Sequence, residues 1–339
     1  MSNPVLVEVT RGNVIESRHR GAAVVMDAQG RTVLSIGDVD RPVFPRSAVK
    51  LIQALPLIET GAADAFGFGD RELALACASH SGEPAHAGLA AAMLERAGLT
   101  EADLGCGVHW PFNDGAARAL AAEGRRPSQL HNNCSGKHSA FLCGCRHCGF
   151  ETAGYVAAVH PWQEAIREAM EAVTGAPHIE ANRAVDGCSI PTYAIPLKAL
   201  AAGFARLAGG VGVEPGRARA AKRLMAACMS EPWYVAGTDK MDTTIMQAGA
   251  GRLFVKTGAE GVYCAAIPEL GLGIALKCDD GAGRAAEVMV AALLARLLPD
   301  QDPLRGVMAS LALVDVPTRL GASSGTIRTV GDLGIAAIG

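Results

Sequence analysis

Hydrophobic and polar residues alternate with a period of two near both ends of the chain, which is typical of half-buried β-strands. Near the start, this pattern predicts strands over residues 4–10, Ala22–Met26 and Thr32–Ile36. Near the end, it predicts strands over Leu253–Thr257, Val262–Ile267 and Leu272–Cys278. Short segments rich in turn residues separate neighbouring strands, so both groups are expected to form antiparallel hairpins.

Between these groups the apolar residues recur every three to four positions, which predicts helices. A helix is expected from Arg46 to Leu55, interrupted at Pro56. Further helices are expected at 70–78, 84–97, 115–123, 136–147, 161–174, 192–207 and 215–229, and a last long helix over Ala282–Leu298. The segment Pro299–Gly306 is expected to be a loop.

Strands at both ends and helices in the middle predict an α/β fold of the α+β type. The simplest assembly is an antiparallel sheet flanked by helices, with an additional helical region. The sequence contains no internal repeat, low-complexity tract or linker. We therefore expect a single domain over residues 1–339.

The composition narrows the classes of function. Hydrophobic residues make up 50% of the 339 residues and charged residues 19%, which is typical of a folded enzyme-sized chain. The formal net charge of −3 gives no basic surface for nucleic acid or anionic lipid. The apolar stretch Val288–Ala295 is too short to cross a membrane, and the first residues lack the pattern of a signal peptide. These features predict a cytoplasmic protein without a membrane segment, in which the ten cysteines are not expected to form disulfides.

Two short motifs suggest amide-bond chemistry. Ser47-Ala48-Val49-Lys50 places a serine and a lysine three residues apart on a predicted helix, and Lys256-Thr257-Gly258 ends a predicted strand. S-x-x-K with K-T-G occurs in serine β-lactamases and penicillin-binding proteins, where a lysine-activated serine attacks an amide carbonyl. Alone, the first motif is also compatible with a helix cap and the second with a hairpin turn. Together they favour a serine–lysine active site.

A third candidate segment is Ala78-Ser79-His80-Ser81-Gly82-Glu83. The Ser-Asp-Asn motif that penicillin-binding proteins carry between the other two is absent, and this polar segment is the nearest substitute. It offers two hydroxyls, an imidazole and a carboxylate. Its alternative role is to cap the helix predicted at 84–97.

Two cysteine-containing loops are possible metal half-sites. Cys134 lies in the segment 131–138 and Cys188 in the segment 186–191, both with polar neighbours. Thiolates favour Zn²⁺, although spacing alone favours two unrelated buried thiols. The C-x-x-C between Cys145 and Cys148 has no second pair at zinc-ribbon spacing, so packing in a helix explains it better.

With these motifs in place, the chain resembles the Rhizobium etli-type, or class 3, L-asparaginases of the asparaginase II family. The resemblance covers nearly the whole chain. It implies a fold similar to serine β-lactamases and glutaminases, a homodimer, and hydrolysis of L-asparagine to L-aspartate and ammonia. The alternatives are a glutaminase or another serine amidohydrolase of this fold, a penicillin-reactive enzyme, against which the missing Ser-Asp-Asn motif speaks, and a non-catalytic zinc-stabilised binding protein.

The resemblance also implies roles for individual residues. It implies two serine–lysine pairs, Ser47 with Lys50 and Ser79 with Lys256, and we favour Ser47 as the acylated serine. The implied zinc ligands and their neighbours are Cys134, Lys137 and Cys188, with Asp186 and His138 close by. The expected substrate-binding residues are His80, Ser81, Glu83, Asn133, Thr257 and Gly258.

Overall fold

An antiparallel sheet of eight strands organises the computed structural model, which describes residues 2–334. The strands follow the order β11-β12-β1-β2-β10-β9-β8, and β3 pairs with β2 beside this path. Their bounds are β1 Val5–Arg11, β2 Val14–Asp27, β3 Thr32–Ile36, β8 Phe254–Gly258, β9 Val262–Ile267, β10 Leu272–Cys278, β11 Leu313–Pro317 and β12 Ser323–Thr329. Two small ribbons complete the strands, formed by β4 Pro42–Val43 with β7 Ile195–Pro196 and by β5 Arg183–Val185 with β6 Pro191–Tyr193.

Strand β2 connects the two halves of the sheet. Its first half pairs with β1, and its second half lies between β10 and β3. The predicted strand Ala22–Met26 covers only the buried second half. The first half was missed because it is largely exposed and polar, with Arg18 paired to Glu8 on β1.

Fourteen α-helices occur in the described part of the chain. They are α1 Lys50–Gln53, α2 Leu55–Glu59, α3 Ala62–Ala65, α4 Asp70–Ala76, α5 Pro84–Arg96, α6 Asp114–Ala122, α7 Ser135–Cys148, α8 Pro161–Thr174, α9 Leu197–Gly209, α10 Pro215–Ser230, α11 Pro232–Val235, α12 Met241–Gly249, α13 Gly283–Leu297 and α14 Pro303–Leu311. Helix α9 packs on the sheet against β2, β9 and β10, and α13 packs against β1, β9, β10 and β12. Every residue of β9 is buried, so both faces of the sheet are covered. The predicted fold class is confirmed.

Helix α7 runs through the centre of the helical region, and all of its residues from Ser135 to Cys145 are buried. Two glycines allow this position. A Cβ on Gly136 would lie 2.4 Å from the Leu75 side chain, and a Cβ on Gly144 would lie 2.0 Å from the Trp162 ring. The contact at Gly136 fixes the start of α7 next to the end of α4, where two candidate site segments meet, and the contact at Gly144 packs α7 against α8.

Two further predicted segments differ from the structure by more than a shift of one or two residues at their ends. The helix expected from 192 begins at Leu197, because residues 191–196 pair in the two small ribbons. The loop expected over Pro299–Gly306 contains the start of α14, which Asp302 caps through the Leu304 N–H. The interruption expected at Pro56 is present, because α1 ends at Gln53 and a new helix, α2, begins at Leu55 with Pro56 in its first turn, where the missing N–H costs no hydrogen bond.

Over residues 2–334, no helix is both long enough and apolar enough to cross a membrane.

Candidate active site

The candidate site is a cavity of about 450 Å³ between the sheet edge and the helical region. Eight parts of the chain contribute to its wall: the turn before α1, the end of α4, the loop before α6, the start of α7, the loop after β5, the start of α12 with the loop before it, the hairpin of β8 and β9, and α13. The lining residues predicted from the sequence are Ser47, Ser79, Asn133, Cys134, Asp186, Cys188, Thr257 and Gly258.

Ser79 lies between two lysines. The Lys50 and Lys256 side chains are fully buried, and their Nζ atoms lie 3.0 Å and 2.9 Å from Ser79 Oγ. A hydroxyl so placed can accept from one amine and donate to the other. The structure therefore brings Ser79 and Lys256 together as predicted.

The expected contact between Ser47 and Lys50 is not formed. Lys50 Nζ donates to the Ala78 carbonyl at 2.5 Å, to Ser79 Oγ and, at 3.1 Å, to Cys134 Sγ. Within residues 2–334, no hydrogen bond joins Ser47 Oγ to Lys50. A buried ammonium must satisfy its three N–H groups, and the end of α4 provides two acceptors that Ser47 does not.

Lys256 has a perturbed environment. Its Nζ also contacts the Thr257 carbonyl at 2.9 Å, and Asp242 Oδ2 lies 3.8 Å away. Burial lowers the pKa of Lys256 to about 8, against the opposing effect of the Asp242 carboxylate, and the charge of Lys50 lowers it further. A lysine with this pKa can exchange a proton near neutral pH.

Asp242 is a site residue that the sequence did not reveal. Its carboxyl accepts hydrogen bonds from the Tyr263 hydroxyl and, at 3.2 Å, from the Thr257 N–H, and it is 1% exposed. Burial raises its pKa, although Lys256 acts in the opposite direction. An aspartate in the first turn of a helix is commonplace, and no motif surrounds it, so no sequence signal distinguished it.

Gly258 brings the end of β8 against the turn that carries Ser47. A Cβ at Gly258 would lie 2.7 Å from the Pro45 carbonyl oxygen, so only glycine permits this approach. Ser47 and Ala259 line the same cavity, and neither backbone N–H is hydrogen-bonded to another group of residues 2–334. Two free N–H groups beside a serine are suited to stabilise an oxyanion.

The residue before Ser47 has an unusual backbone. Arg46 has φ of 51°, a left-handed conformation that a non-glycine residue adopts only when its surroundings enforce it. Its guanidinium donates to Asp186 at 2.7 Å on the cavity wall. Burial would raise the pKa of Asp186, but the charges of Lys137 and Arg46 outweigh it and hold this pKa below its usual value. The ion pair thus holds the turn of Ser47 to the loop of Cys188.

The three expected zinc ligands converge next to the cavity. Lys137 Nζ lies 3.1 Å from Cys188 Sγ, and all three side chains are buried. Interaction with the neighbouring Cys188 thiol and the charges of Lys50 and Lys137 lower the pKa of Cys134, whereas interaction with Cys134 and burial raise the pKa of Cys188.

This donor set fits a zinc ion. Within the described structure, the only hydrogen-bond acceptor of the buried Lys137 amine is the Cys188 thiol. Two sulfurs and one nitrogen are ligands that Zn²⁺ accepts. Burial opposes protonation of Lys137, but the thiolate charges outweigh it and raise its pKa, so a metal must displace the proton of the amine.

Three residues expected to bind substrate make their hydrogen bonds to other parts of the protein. His80 bonds to Ser135 Oγ at 2.9 Å, and Ser81 Oγ donates to the Ala236 carbonyl at 2.7 Å. The Glu83 carboxylate accepts from the N–H and hydroxyl of Thr238. None of the three lines the cavity. Their polar atoms are used within the protein, since His80 contacts the start of α7 and Ser81 and Glu83 hold the loop 236–238, so their contact with substrate stays a prediction.

His138 also lies outside the cavity. Its Nδ1 is 2.6 Å from the Tyr155 hydroxyl, and burial lowers its pKa well below the usual value. It is adjacent to Lys137 in sequence but makes no hydrogen bond to either thiol within residues 2–334. Asn133, by contrast, lines the cavity, where its N–H donates to His109 at 2.9 Å.

A family model described as L-asparaginase II matches residues 7–329. The chain belongs to the L-asparaginase II family. The predicted family is thereby confirmed at this level, and membership makes the protein a hydrolase of the asparaginase type that acts on amides. No curated protein matches the chain.

Solved structures with partial similarity are also known. The crystal structure of Mglu has 17% sequence identity and a TM-score of 0.46, covering 84% of this chain and 69% of that chain. A β-lactamase from Mycobacterium bovis has 16% identity and a TM-score of 0.42, covering 79% and 89%. The D-alanine carboxypeptidase AmpC from Burkholderia cenocepacia has 13% identity and a TM-score of 0.35, covering 76% and 88%.

Proposed function

We propose that this L-asparaginase II family member is of the Rhizobium etli type and hydrolyses L-asparagine to L-aspartate and ammonia through a lysine-activated serine. One observation carries the proposal: the Ser79 hydroxyl lies 3.0 Å and 2.9 Å from the amines of two fully buried lysines, at a cavity that also contains Ser47. A lone serine hydroxyl is a weak nucleophile and requires such a base.

In the proposed reaction, Ser47 attacks the side-chain amide carbon of asparagine. Its proton passes to Ser79 while the proton of Ser79 moves to neutral Lys256, whose pKa of about 8 suits this exchange. The N–H groups of Ser47 and Ala259 stabilise the oxyanion. The ammonium of Lys256 returns the proton through Ser79 to the departing ammonia, and water then hydrolyses the aspartyl ester.

The charges of the cavity suit an amino-acid substrate. Arg46 and Lys240 supply positive charge on its wall, and Asp186 and Glu287 supply carboxyl groups. An α-carboxylate and an α-ammonium thus each have a candidate partner. Burial raises the pKa of Glu287, with a contribution from Asp242.

Cys134, Lys137 and Cys188 would hold a zinc ion in this proposal. Two thiolate ligands would largely neutralise the positive charge of the ion. Its role would then be to cross-link the start of α7 to the loop that carries Cys188. Replacing Cys188 by serine should remove the zinc. If turnover then stays at the wild-type level in zinc-free protein, the ion has no required role.

The decisive measurement is ammonia release from purified protein with L-asparagine, L-glutamine and a chromogenic β-lactam side by side. Asparagine should be the best substrate. Preference for glutamine would make the protein a glutaminase, and no ammonia from any amide would favour a non-catalytic binding protein. Either result would overturn the proposal.

Intact-mass spectrometry of acid-quenched turnover identifies the acylated serine. The Ser47→Ala variant should release no ammonia and trap no aspartyl ester, whereas the exposed Ser310→Ala variant should behave as wild type. An ester mapped to Ser79 would instead assign the attack to the lysine-bridged hydroxyl.

The resemblance further supports a cytoplasmic homodimer. Light scattering coupled to size-exclusion chromatography should give twice the monomer mass, and a monomer mass at micromolar concentration would contradict this part of the proposal.

A further inference from the structure

A second group of metal-ligating side chains lies outside the cavity. His19 on β2, Cys278 at the end of β10, and Asp280 two residues later present ligand atoms that all lie within 4.8 Å of one another. His19 Nδ1 is 2.6 Å from Asp280 Oδ2, and the Cys278 thiol donates to Asp280 Oδ1 at 2.9 Å. None of the three belongs to the cavity wall.

Two of the three candidate ligand side chains are buried, and the third is accessible to solvent. His19 and Cys278 are 5% and 0% exposed, whereas the Asp280 side chain is 50% exposed. A dissolved ion can therefore reach the group past the carboxylate, while the strand pairing between Cys278 and Gly21 holds the other two ligands in place.

We propose that His19 Nδ1, Cys278 Sγ and the Asp280 carboxylate bind a divalent transition-metal ion of the zinc class, with water as the fourth ligand. Nitrogen, sulfur and oxygen donors together are typical of zinc sites that keep one position open. One thiolate and one carboxylate balance the two positive charges of the ion. Magnesium and calcium, which prefer oxygen ligands, are excluded by the thiol and imidazole.

Binding requires small movements and a defined loss of protons. A tetrahedral zinc ion separates nitrogen and oxygen ligands by about 3.3 Å, and sulfur and oxygen by about 3.5 Å. The present separations are 2.6 Å and 2.9 Å, because protons occupy the space between the atoms. The ion displaces the thiol proton of Cys278, which leaves to solvent, and replaces the proton on His19 Nδ1, which moves by way of solvent to Nε2 so that the imidazole stays neutral. Arg284, 3.4 Å from His19 Nε2, is exposed and must turn away.

The proposed ion would lie directly behind the catalytic hairpin. The Cys278 N–H donates to the Gly261 carbonyl at 2.8 Å, and a Cβ on Gly261 would lie 2.8 Å from Cys278 Cβ. Gly261 ends the turn that carries Ala259. An ion at Cys278 would therefore cross-link β2, β10 and the start of α13 and stiffen this turn.

Cobalt(II) provides the test, because thiolate-bound Co²⁺ gives a charge-transfer absorption that aqueous Co²⁺ lacks. The protein used is the full chain with Cys134 and Cys188 both replaced by serine, so that the other candidate site cannot contribute. We expect one equivalent of Co²⁺ with thiolate absorption. Adding Cys278→Ser should abolish the absorption, and His19→Ala should weaken binding at least tenfold. The control, Cys148→Ser, removes a half-buried thiol elsewhere and should change nothing.

A second measurement tests the proposal without the double variant, in case that variant does not fold. Native mass spectrometry should find one zinc ion fewer in Cys278→Ser than in the wild type, and zinc should raise the Tm of the wild type more than that of this variant. Equal stoichiometry and an equal rise in Tm would overturn the proposal, as would cobalt absorption that survives Cys278→Ser. Neither outcome depends on asparagine turnover, so the proposal can fail while the proposed function stands.

Discussion

Replacing Asp242 by asparagine tests how Lys256 is held ready to take a proton. Asp242 Oδ2 lies 3.8 Å from Lys256 Nζ, and both groups are buried. At an effective dielectric constant of about 20, two unit charges at this distance attract each other by roughly 4 kcal/mol, or about 3 pKa units as an upper limit. Asparagine keeps the shape of the side chain. Its amide can still accept from the Thr257 N–H and donate to the Tyr263 hydroxyl.

The sign of the effect follows from which form of Lys256 the carboxylate stabilises. Asp242 favours the ammonium, so its removal lowers the pKa of Lys256 below the value of about 8. In the proposed reaction the neutral amine is the active form, and kcat/KM rises as pH passes through this pKa. In Asp242→Asn the rising limb should therefore move toward acid by about one to three units. The plateau should fall, since a less basic amine is a weaker proton acceptor.

Ammonia release measured from about pH 5 to about pH 10 checks this expectation. The matched control is Asp239→Asn, which removes the same charge from an exposed position three residues earlier and should leave the limb in place. A limb that stays at the wild-type position in Asp242→Asn, or moves toward alkaline pH, would refute the role given to Lys256. Circular dichroism at each pH separates unfolding from titration.

Two glycines give further predictions. A Cβ on Gly258 would lie 2.7 Å from the Pro45 carbonyl oxygen, a backbone atom that can give way only if the turn shifts. Gly258→Ala should therefore displace the catalytic turn, lower kcat by roughly 10- to 100-fold and lower the free energy of unfolding by about 1 to 3 kcal/mol; a kcat near wild type would show that the close approach is dispensable. A Cβ on Gly144 would lie 2.0 Å from the Trp162 ring, so Gly144→Ala should lower the free energy of unfolding by about 3 kcal/mol in urea titration. Gly88→Ala in α5 meets no atom within 4 Å and serves as the control for both, with a gain of up to about 1 kcal/mol.

The sequence predicted the hairpins around the site well. Strands β8 to β10 were located to within one residue, because they are short apolar runs bounded by glycine and other turn residues. Strands β11 and β12 were missed. Strand β12 is mostly polar, and β11 is a short run with only exposed or half-buried residues. They become strands because β12 pairs with β1 and β11 pairs with β12.

The sequence predicted which residues belong to the candidate site better than it predicted the contacts between them. Sequence motifs located Ser47, Ser79 and Lys256 on the cavity or directly behind it. The connection of Lys50 to Ser79 depends on where α4 ends in space, which no spacing along the chain encodes. Asp242 and the inward orientation of His80 depend in the same way on tertiary packing.

The division of β2 between two partners has a consequence for how the protein is made. The apolar half of this strand, Ala22–Val25, lies between β3 and β10, and β10 is synthesised about two hundred and fifty residues later. Until then one edge of an apolar strand has no partner, and such edges promote association between chains. A ribosome that stalls before residue 272 would therefore leave a product prone to aggregation, and the nascent chain is expected to depend on chaperones over most of its synthesis.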